Sequence, residues 1–247
     1  MPAYAVPIFI MALLSPSFAQ ADVKVRGATT VAYGLMNPQK AGIEQMSGAE
    51  LTILPSSTGH GLADLANGKA DIAMLADPLE SAAEAVNEKF PGLVNLKDLS
   101  SRHVGDALVQ FIVHPSNPIA KLTRGQLADL YSGKIKNWSE IGGNDQPVMV
   151  VGEPTSSPYR MISEALAISY TPDMRVVQNT NQTATIVMQA PGAISNISTA
   201  HDVPERGRFK VLSTDVNLPL HLYLAFRKDA RPEVMRVIEA ALEIGKR

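Results

Sequence analysis

Three short segments rich in hydroxyl groups stand where strand-like runs give way to helix-like ones: Gly27-Ala28-Thr29-Thr30-Val31, Ser56-Ser57-Thr58-Gly59 and Thr155-Ser156-Ser157-Pro158. A helix start exposes backbone N–H groups and the positive end of the helix dipole. Hydroxyl residues there do one of two jobs. They cap the helix by accepting one of those N–H groups, or they join them in holding an anion. One such turn alone is most often a plain cap. Three in one chain make anion binding an equal contender, because ligands of open α/β sheets sit outside the carboxyl ends of the strands, where helix starts can converge.

Other chemistry finds less support. The chain has no cysteine, which removes disulfides, thiolate metal sites and cysteine nucleophiles. It carries no G-x-S-x-G, no phosphate-binding loop ending in Gly-Lys-Ser/Thr, no H-E-x-x-H and no G-x-G-x-x-G. The histidines at 60, 103, 114, 201 and 221 are scattered, with no pair at metal-ligand spacing. His60 follows Ser57 and Thr58 closely enough to suggest a nucleophile and its base. Neighbours on a helix start usually point in different directions, so the enzyme reading is the minor one; it predicts hydrolysis that is lost with Ala at either Ser57 or His60. Asp71, Asp77 and Glu153 read as solvated or capping carboxylates rather than as an acid–base pair. No catalytic residue, metal or cofactor is expected. Trp138, the only tryptophan, reads as the anchor of its turn by packing rather than as a ligand stack.

The elements that would position these turns alternate along the chain. Strand-like runs are Val23–Val25, Glu50–Leu54, Asp71–Leu75, Ala107–His114, Val148–Gly152, Arg175–Gln178, Ala193–Ile197, Lys210–Ser213 and His221–Phe226. Helical stripes lie between them: Leu62, Leu65 and Ala66; Leu127, Leu130 and Tyr131 behind an N-cap at Thr123; Met161, Ile162, Ala165 and Leu166; and Val234, Val237, Ile238, Ala241 and Leu242 after Pro232. Such alternation predicts an α/β fold with a largely parallel sheet.

With 24 acidic and 22 basic residues, net charge is −2, so there is no basic excess to draw nucleic acid. The segment before Asp22 carries no Asp, Glu, Lys or Arg. Val6 to Leu14 form a short apolar core, and Ala19-Gln20-Ala21 offers small residues for cleavage. Export with cleavage near Ala21, residues 1–21 being the signal peptide, is therefore expected. A buried N-terminal segment is the alternative.

Several blocks together resemble the periplasmic phosphate-binding proteins of ABC transporters. In the first part these are Gly27-Ala28-Thr29-Thr30, Ser57-Thr58-Gly59-His60-Gly61-Leu62, Gly68-Lys69-Ala70-Asp71-Ile72-Ala73-Met74 and Pro78-Leu79. The most specific is His114-Pro115-Ser116-Asn117-Pro118 with the run Tyr131-Ser132-Gly133-Lys134-Ile135-Lys136-Asn137-Trp138-Ser139-Glu140-Ile141-Gly142-Gly143. The resemblance implies a two-lobed periplasmic-binding-protein-like fold with two hinge crossings, near Leu108–Val113 and Leu220–Ala225. Lobe 1 would be 22–107 plus 214–247, and lobe 2 108–213. It implies a monomeric periplasmic binder of a small anionic solute, phosphate or a related oxyanion, with an inner-membrane ABC transporter as partner. The alternative is the same fold with a degraded or altered pocket, acting as a sensor or partner-binding module.

Carried over residue by residue, the resemblance makes Thr29 and Thr30 donors to the anion. Thr58, beside Ser57, falls where the family has a serine at a helix start. The family's proton-accepting Asp aligns with Ala76, and Asp77 stands one place on. In the second lobe Ser157 matches the family serine, while Pro158 and Tyr159 replace Gly and Thr. Pro158 removes an N–H. Tyr159 is either a pocket wall or helix surface. Glu153 takes the place of the family Arg. Loss of that charge-assisted contact is worth about 1.5–3 kcal/mol, roughly one to two decades in affinity, and a carboxylate facing a dianion adds repulsion. Tight phosphate binding therefore requires Glu153 to point away from the cleft. Arg160 follows on the same helix.

Overall fold

The computed structural model describes residues 21–200 and 208–245. The leader assigned to residues 1–21 lies outside them apart from Ala21. No helix among the described residues is long and apolar enough to cross a membrane.

The main sheet has the order β2-β1-β3-β11-β4-β8-β6-β7. At one end β1 (Asp22–Ala28) lies between β2 (Glu50–Ser56) and β3 (Ile72–Leu75), parallel to both. At the other end β6 (Met149–Gly152) lies parallel to β7 (Arg175–Val176) and β8 (Ala193–Ser198). The expected parallel pairing holds in these two end groups. The middle is antiparallel: β11 (Pro219–Arg227) runs against β3 and β4 (Leu99–Val113), and β4 runs against β8.

β4 joins the two groups. It pairs with β11 through residues 99–108 and with β8 through 109–113. It starts eight residues before the run read from sequence. Its early part is polar and largely exposed on one side, Ser100 to His103, so it shows no apolar alternation. Two short strands, β5 (Lys121–Leu122) and β10 (Ser213–Thr214), form a separate pair, and β9 (Lys210–Val211) adds to β4. The run Lys210–Ser213 is thus shared between β9 and β10.

Helices follow the strands for local reasons. Thr123 and Gln126 form a capping box on α5 (Arg124–Tyr131). The last helix, α8 (Pro232–Ile244), has Pro at its start and buries Val234, Val237, Ile238 and Ala241 along one stripe. Val23, Val25, Ile72 and Met74 are fully buried in the first strand group, Val151 and Ile194 in the second, and Leu224, Phe111 and Ile112 in the antiparallel middle. Trp138 is fully buried too, its indole N–H donating to the Gly192 carbonyl at 3.0 Å. It therefore packs rather than meeting a ligand.

Candidate functional site

The helix starts meet where the two strand groups face each other. On the first side, β1 ends at Ala28 and the chain turns through Thr29–Val31 into a π-helical segment, Ala32–Met36. No side chain caps this turn, so the Thr29 hydroxyl is not used locally. Next to it, Ser57 caps α3 (Thr58–Ala66), accepting the His60 N–H at 3.3 Å. Two glycines let these turns approach each other. Gly27 sits at φ +131°, where a Cβ would lie 2.2 Å from the Met74 carbonyl oxygen. A Cβ on Gly61 would lie 2.5 Å from the Gly27 Cα. The first turn of α3 therefore rests directly on the end of β1.

On the second side, β6 ends at Gly152 and Glu153 follows. Ser156 then caps α6 (Ser157–Leu166), accepting the Tyr159 N–H at 3.3 Å. Pro158 occupies the second helical position, where the missing N–H has no intrahelical partner to lose. A fourth turn also enters: Asn179 caps α7 (Thr180–Gln189), placing Thr180 at its first position.

These elements enclose a small cavity of about 30 Å³, room for roughly two or three water-sized groups. Thr29, Thr30, Ser57, Thr58, Glu153 and Ser157 all line it. So do groups missed in the sequence: Thr180 and Thr183 of α7, and Ser195, Asn196 and Ser198 of β8. The signal for α7 is Asn179-Thr180 after a strand-like run, the same cap-and-hydroxyl pattern as the other turns. β8 reads from sequence only as a buried strand.

Hydroxyls join across the cavity. Thr29 Oγ1 lies 3.0 Å from Thr180 Oγ1, and Thr58 Oγ1 lies 3.0 Å from Ser157 Oγ. The second pair belongs to a directed chain. The Ala76 N–H donates to Thr58 Oγ1 at 3.1 Å, and Ser157 donates to Asp77 Oδ2. Since Ser157 spends its one proton on Asp77, Thr58 donates to Ser157. Asp77 also receives Arg160 Nη2 at 2.9 Å on its other oxygen. Asp77, read from sequence as solvated or capping, is instead buried, its side chain 9% exposed. Burial raises its carboxyl above the ordinary range, outweighing the opposing pull of Ser157 and Arg160.

Glu153 does not point away: it is 7% exposed and lines the cavity. Burial pushes its carboxyl up to about 8, although a hydrogen bond from Thr180 pulls it down. Near neutral pH Glu153 is therefore mainly the neutral acid. It offers an O–H donor rather than the repulsive charge expected from sequence. No Lys or Arg among the described residues lines the cavity.

Arg160 borders a larger, more open depression of about 390 Å³, walled by α3, α6 and α4 (Leu79–Lys89). Tyr159 belongs to this wall and not to the small cavity. Its ring stacks on Tyr170 with centroids 4.0 Å apart. The expected divergence of Ser57 and His60 does not occur: Ser57 Oγ lies 3.1 Å from His60 Nδ1. That hydroxyl also accepts the His60 N–H, so the contact extends the helix cap.

Comparison with known proteins agrees with this architecture. The model of the PBP superfamily domain matches residues 15–233. The phosphate-binding protein PstS of Bacillus subtilis (strain 168) is 24% identical over 182 residues, which is 73% of this chain and 58% of that relative's length. The chain thus spans little more than half of this curated relative. A crystal structure from Clostridium perfringens, of a candidate phosphate ABC transporter substrate-binding protein with bound phosphate, superposes with a TM-score of 0.75. It is 20% identical, over 89% of this chain and 92% of that one. The regulatory domain of CcmR from Synechocystis PCC6803, in complex with 2-PG, superposes with a TM-score of 0.64 at 16% identity, over 92% of this chain and 98% of that one. By fold and by the match over 15–233, the chain belongs to the PBP (periplasmic-binding-protein) superfamily.

Proposed function

We propose that this protein is an exported solute-binding protein that closes two lobes, 22–107 plus 214–247 and 108–213, around a small oxyanion of the phosphate type. The observation that carries the reading is the meeting of Thr29 and Thr58 from one strand group with Thr180 and Ser157 from the other, each pair 3.0 Å apart. Hydroxyls and helix-start N–H groups on both sides of one cavity suit an anion that receives several neutral donors at once. Neutral Glu153 adds a donor, and the anion needs no buried cation if the donors are sufficient in number. In this reading the hinge crossings run along β4 and β11; the passage of β4 from β11 to β8 supports the first of them.

PstS of B. subtilis and the phosphate-bound C. perfringens protein support phosphate as the first ligand to test. The C. perfringens protein, a candidate phosphate ABC transporter substrate-binding protein, supports delivery to an ABC transporter as the role to test; in this reading the chain acts as a monomer and without catalysis. The apolar run before Asp22 supports export. A second reading rests on the pairing of Arg160 with Asp77, which commits that guanidinium to the protein itself. In that reading the closed form is a sensor or partner-binding module, and the ligand-bound CcmR domain shares the fold.

Calorimetric titration with phosphate decides between them, using the mature chain stripped of ligand by unfolding and refolding. A thermal-shift series with sulfate and organic phosphates runs beside it. A ligand at about 100 times its Kd adds about 2.7 kcal/mol of stability. Saturable phosphate binding that weakens with Ser157→Ala supports the transporter reading. A folded chain that responds to no oxyanion overturns it.

A further inference from the structure

We propose that His103, Asp106 and His221 form a surface site for a divalent transition metal of the zinc class, independent of the anion cavity. The three are spread over 118 positions of sequence, and the fold brings them together on β4 and β11. His103 Nε2 lies 2.9 Å from Asp106 Oδ1, and His221 Nδ1 lies 2.6 Å from the same oxygen. All three ligand atoms lie within 4.8 Å of one another.

A β-bulge makes this possible. Residues an odd number apart on a regular strand point to opposite faces, so His103 and Asp106 should diverge. The β4–β11 register shifts between Leu222 and Tyr223: Leu222 pairs with Gly105, but Tyr223 pairs with His103. Val104 is the extra residue. It returns His103 to the face of Asp106, whose cross-strand partner is His221. Bulges commonly re-aim a side chain in this way. The Tyr223 ring then packs edge-on against the His103 ring at 5.3 Å, restricting its rotation.

Two imidazoles and one carboxylate are a ligand set for zinc and its neighbours in the first transition row. At bond lengths of about 2.0–2.2 Å, tetrahedral neighbours stand about 3.4 Å apart. Small rotations of three side chains that are 46%, 60% and 50% exposed reach that spacing. The remaining coordination position faces solvent and takes water. Bound there, the ion ties β4 to β11 next to the stretch where β4 passes from β11 to β8. The single carboxylate and the nitrogen donors disfavour Ca²⁺ and Mg²⁺, which take oxygen ligands.

The test is titration of the untagged, chelator-treated chain with ZnCl₂, with MgCl₂ and CaCl₂ as controls. The expected result is saturable uptake of one Zn²⁺ per chain and no saturable uptake of Mg²⁺ or Ca²⁺. His103→Ala, His221→Ala and Asp106→Asn should each weaken zinc binding by at least about tenfold, with circular dichroism confirming that the variants fold. Phosphate titrations of wild type with and without zinc are read separately, so failure of either site leaves the other assessed. Wild-type protein that takes up no zinc saturably overturns the proposal, as does zinc binding that survives replacement of both histidines.

Discussion

The two walls of the cavity are built from the same device, a capped helix start after a strand, yet they differ in how their polar groups are held. On the β1–β3 side Thr58 is held by backbone, while Thr29 reaches across to Thr180. Gly27 and Gly61 allow α3 to rest on β1, and the Ala76 N–H holds Thr58. On the β6–β8 side the groups are ionisable or depend on the opposite wall. Glu153 is neutral only because it is buried, and Ser157 orients toward Asp77 across the gap. One wall is a rigid template. The other takes its protonation from burial and its orientation from the facing wall.

This contrast can be tested, starting with the largest expected effect. Glu153 has its folded value raised to about 8 from an ordinary 4.5. The folded state therefore binds the extra proton between these values. Its contribution to stability is fully present below about pH 4.5 and is lost as pH rises through about 8. The full change is on the order of 4–5 kcal/mol. Urea unfolding at pH 5, 7 and 9 should show this decline, and Glu153→Gln should flatten it. An unchanged slope in the variant would remove Glu153 from the contrast.

Next, the rigid wall should break by crowding. Gly61→Ala places a methyl 2.5 Å from the Gly27 Cα, so a loss of about 1–3 kcal/mol in unfolding free energy is expected. Gly48→Ala is the control on a different mechanism: its Cβ would meet nothing within 4 Å, and only its φ of +69° is strained. A smaller loss for Gly61 than for Gly48 would mean that the close approach is relaxed in solution.

Ser157→Ala tests the proposed anion site and also removes the donor to Asp77. With the proposed anion in this cavity, removing the hydroxyl should cost phosphate affinity roughly tenfold to a hundredfold by calorimetry. Equal affinities for the variant and wild type would place the anion away from this wall. The smallest effect is expected at Tyr159. Its stack on Tyr170 is worth about 0.5–1.5 kcal/mol of stability, and Tyr159→Ala should leave phosphate affinity within about threefold. A larger loss would extend the ligand into the neighbouring depression.

Much of the scaffold was readable before folding. Apolar runs marked most strands, and the hydroxyl residues at their ends marked three of the helix starts that line the cavity. Thr123 with Gln126, and Pro232 at the last helix, are local signals of the same kind. The start of β4 was not readable, because polar Ser100 to His103 and the bulge at Val104 break the alternation on which strand recognition depends. The fourth turn, at Thr180, carried the right residues but follows a strand of only two residues, Arg175–Val176.

By itself, the sequence determined the alternation of strands and helices and the chemical type of the turns, since caps, glycines and apolar periodicity act over a few residues. Only the tertiary structure decided that Glu153 is a neutral acid, that Asp77 is shared by Ser157 and Arg160, and that His103 and His221 meet at Asp106. Protonation follows from desolvation, and these pairings join residues as far as 115 positions apart. Neither is specified by nearest neighbours in the chain; both arise when packing removes water and brings distant strands side by side.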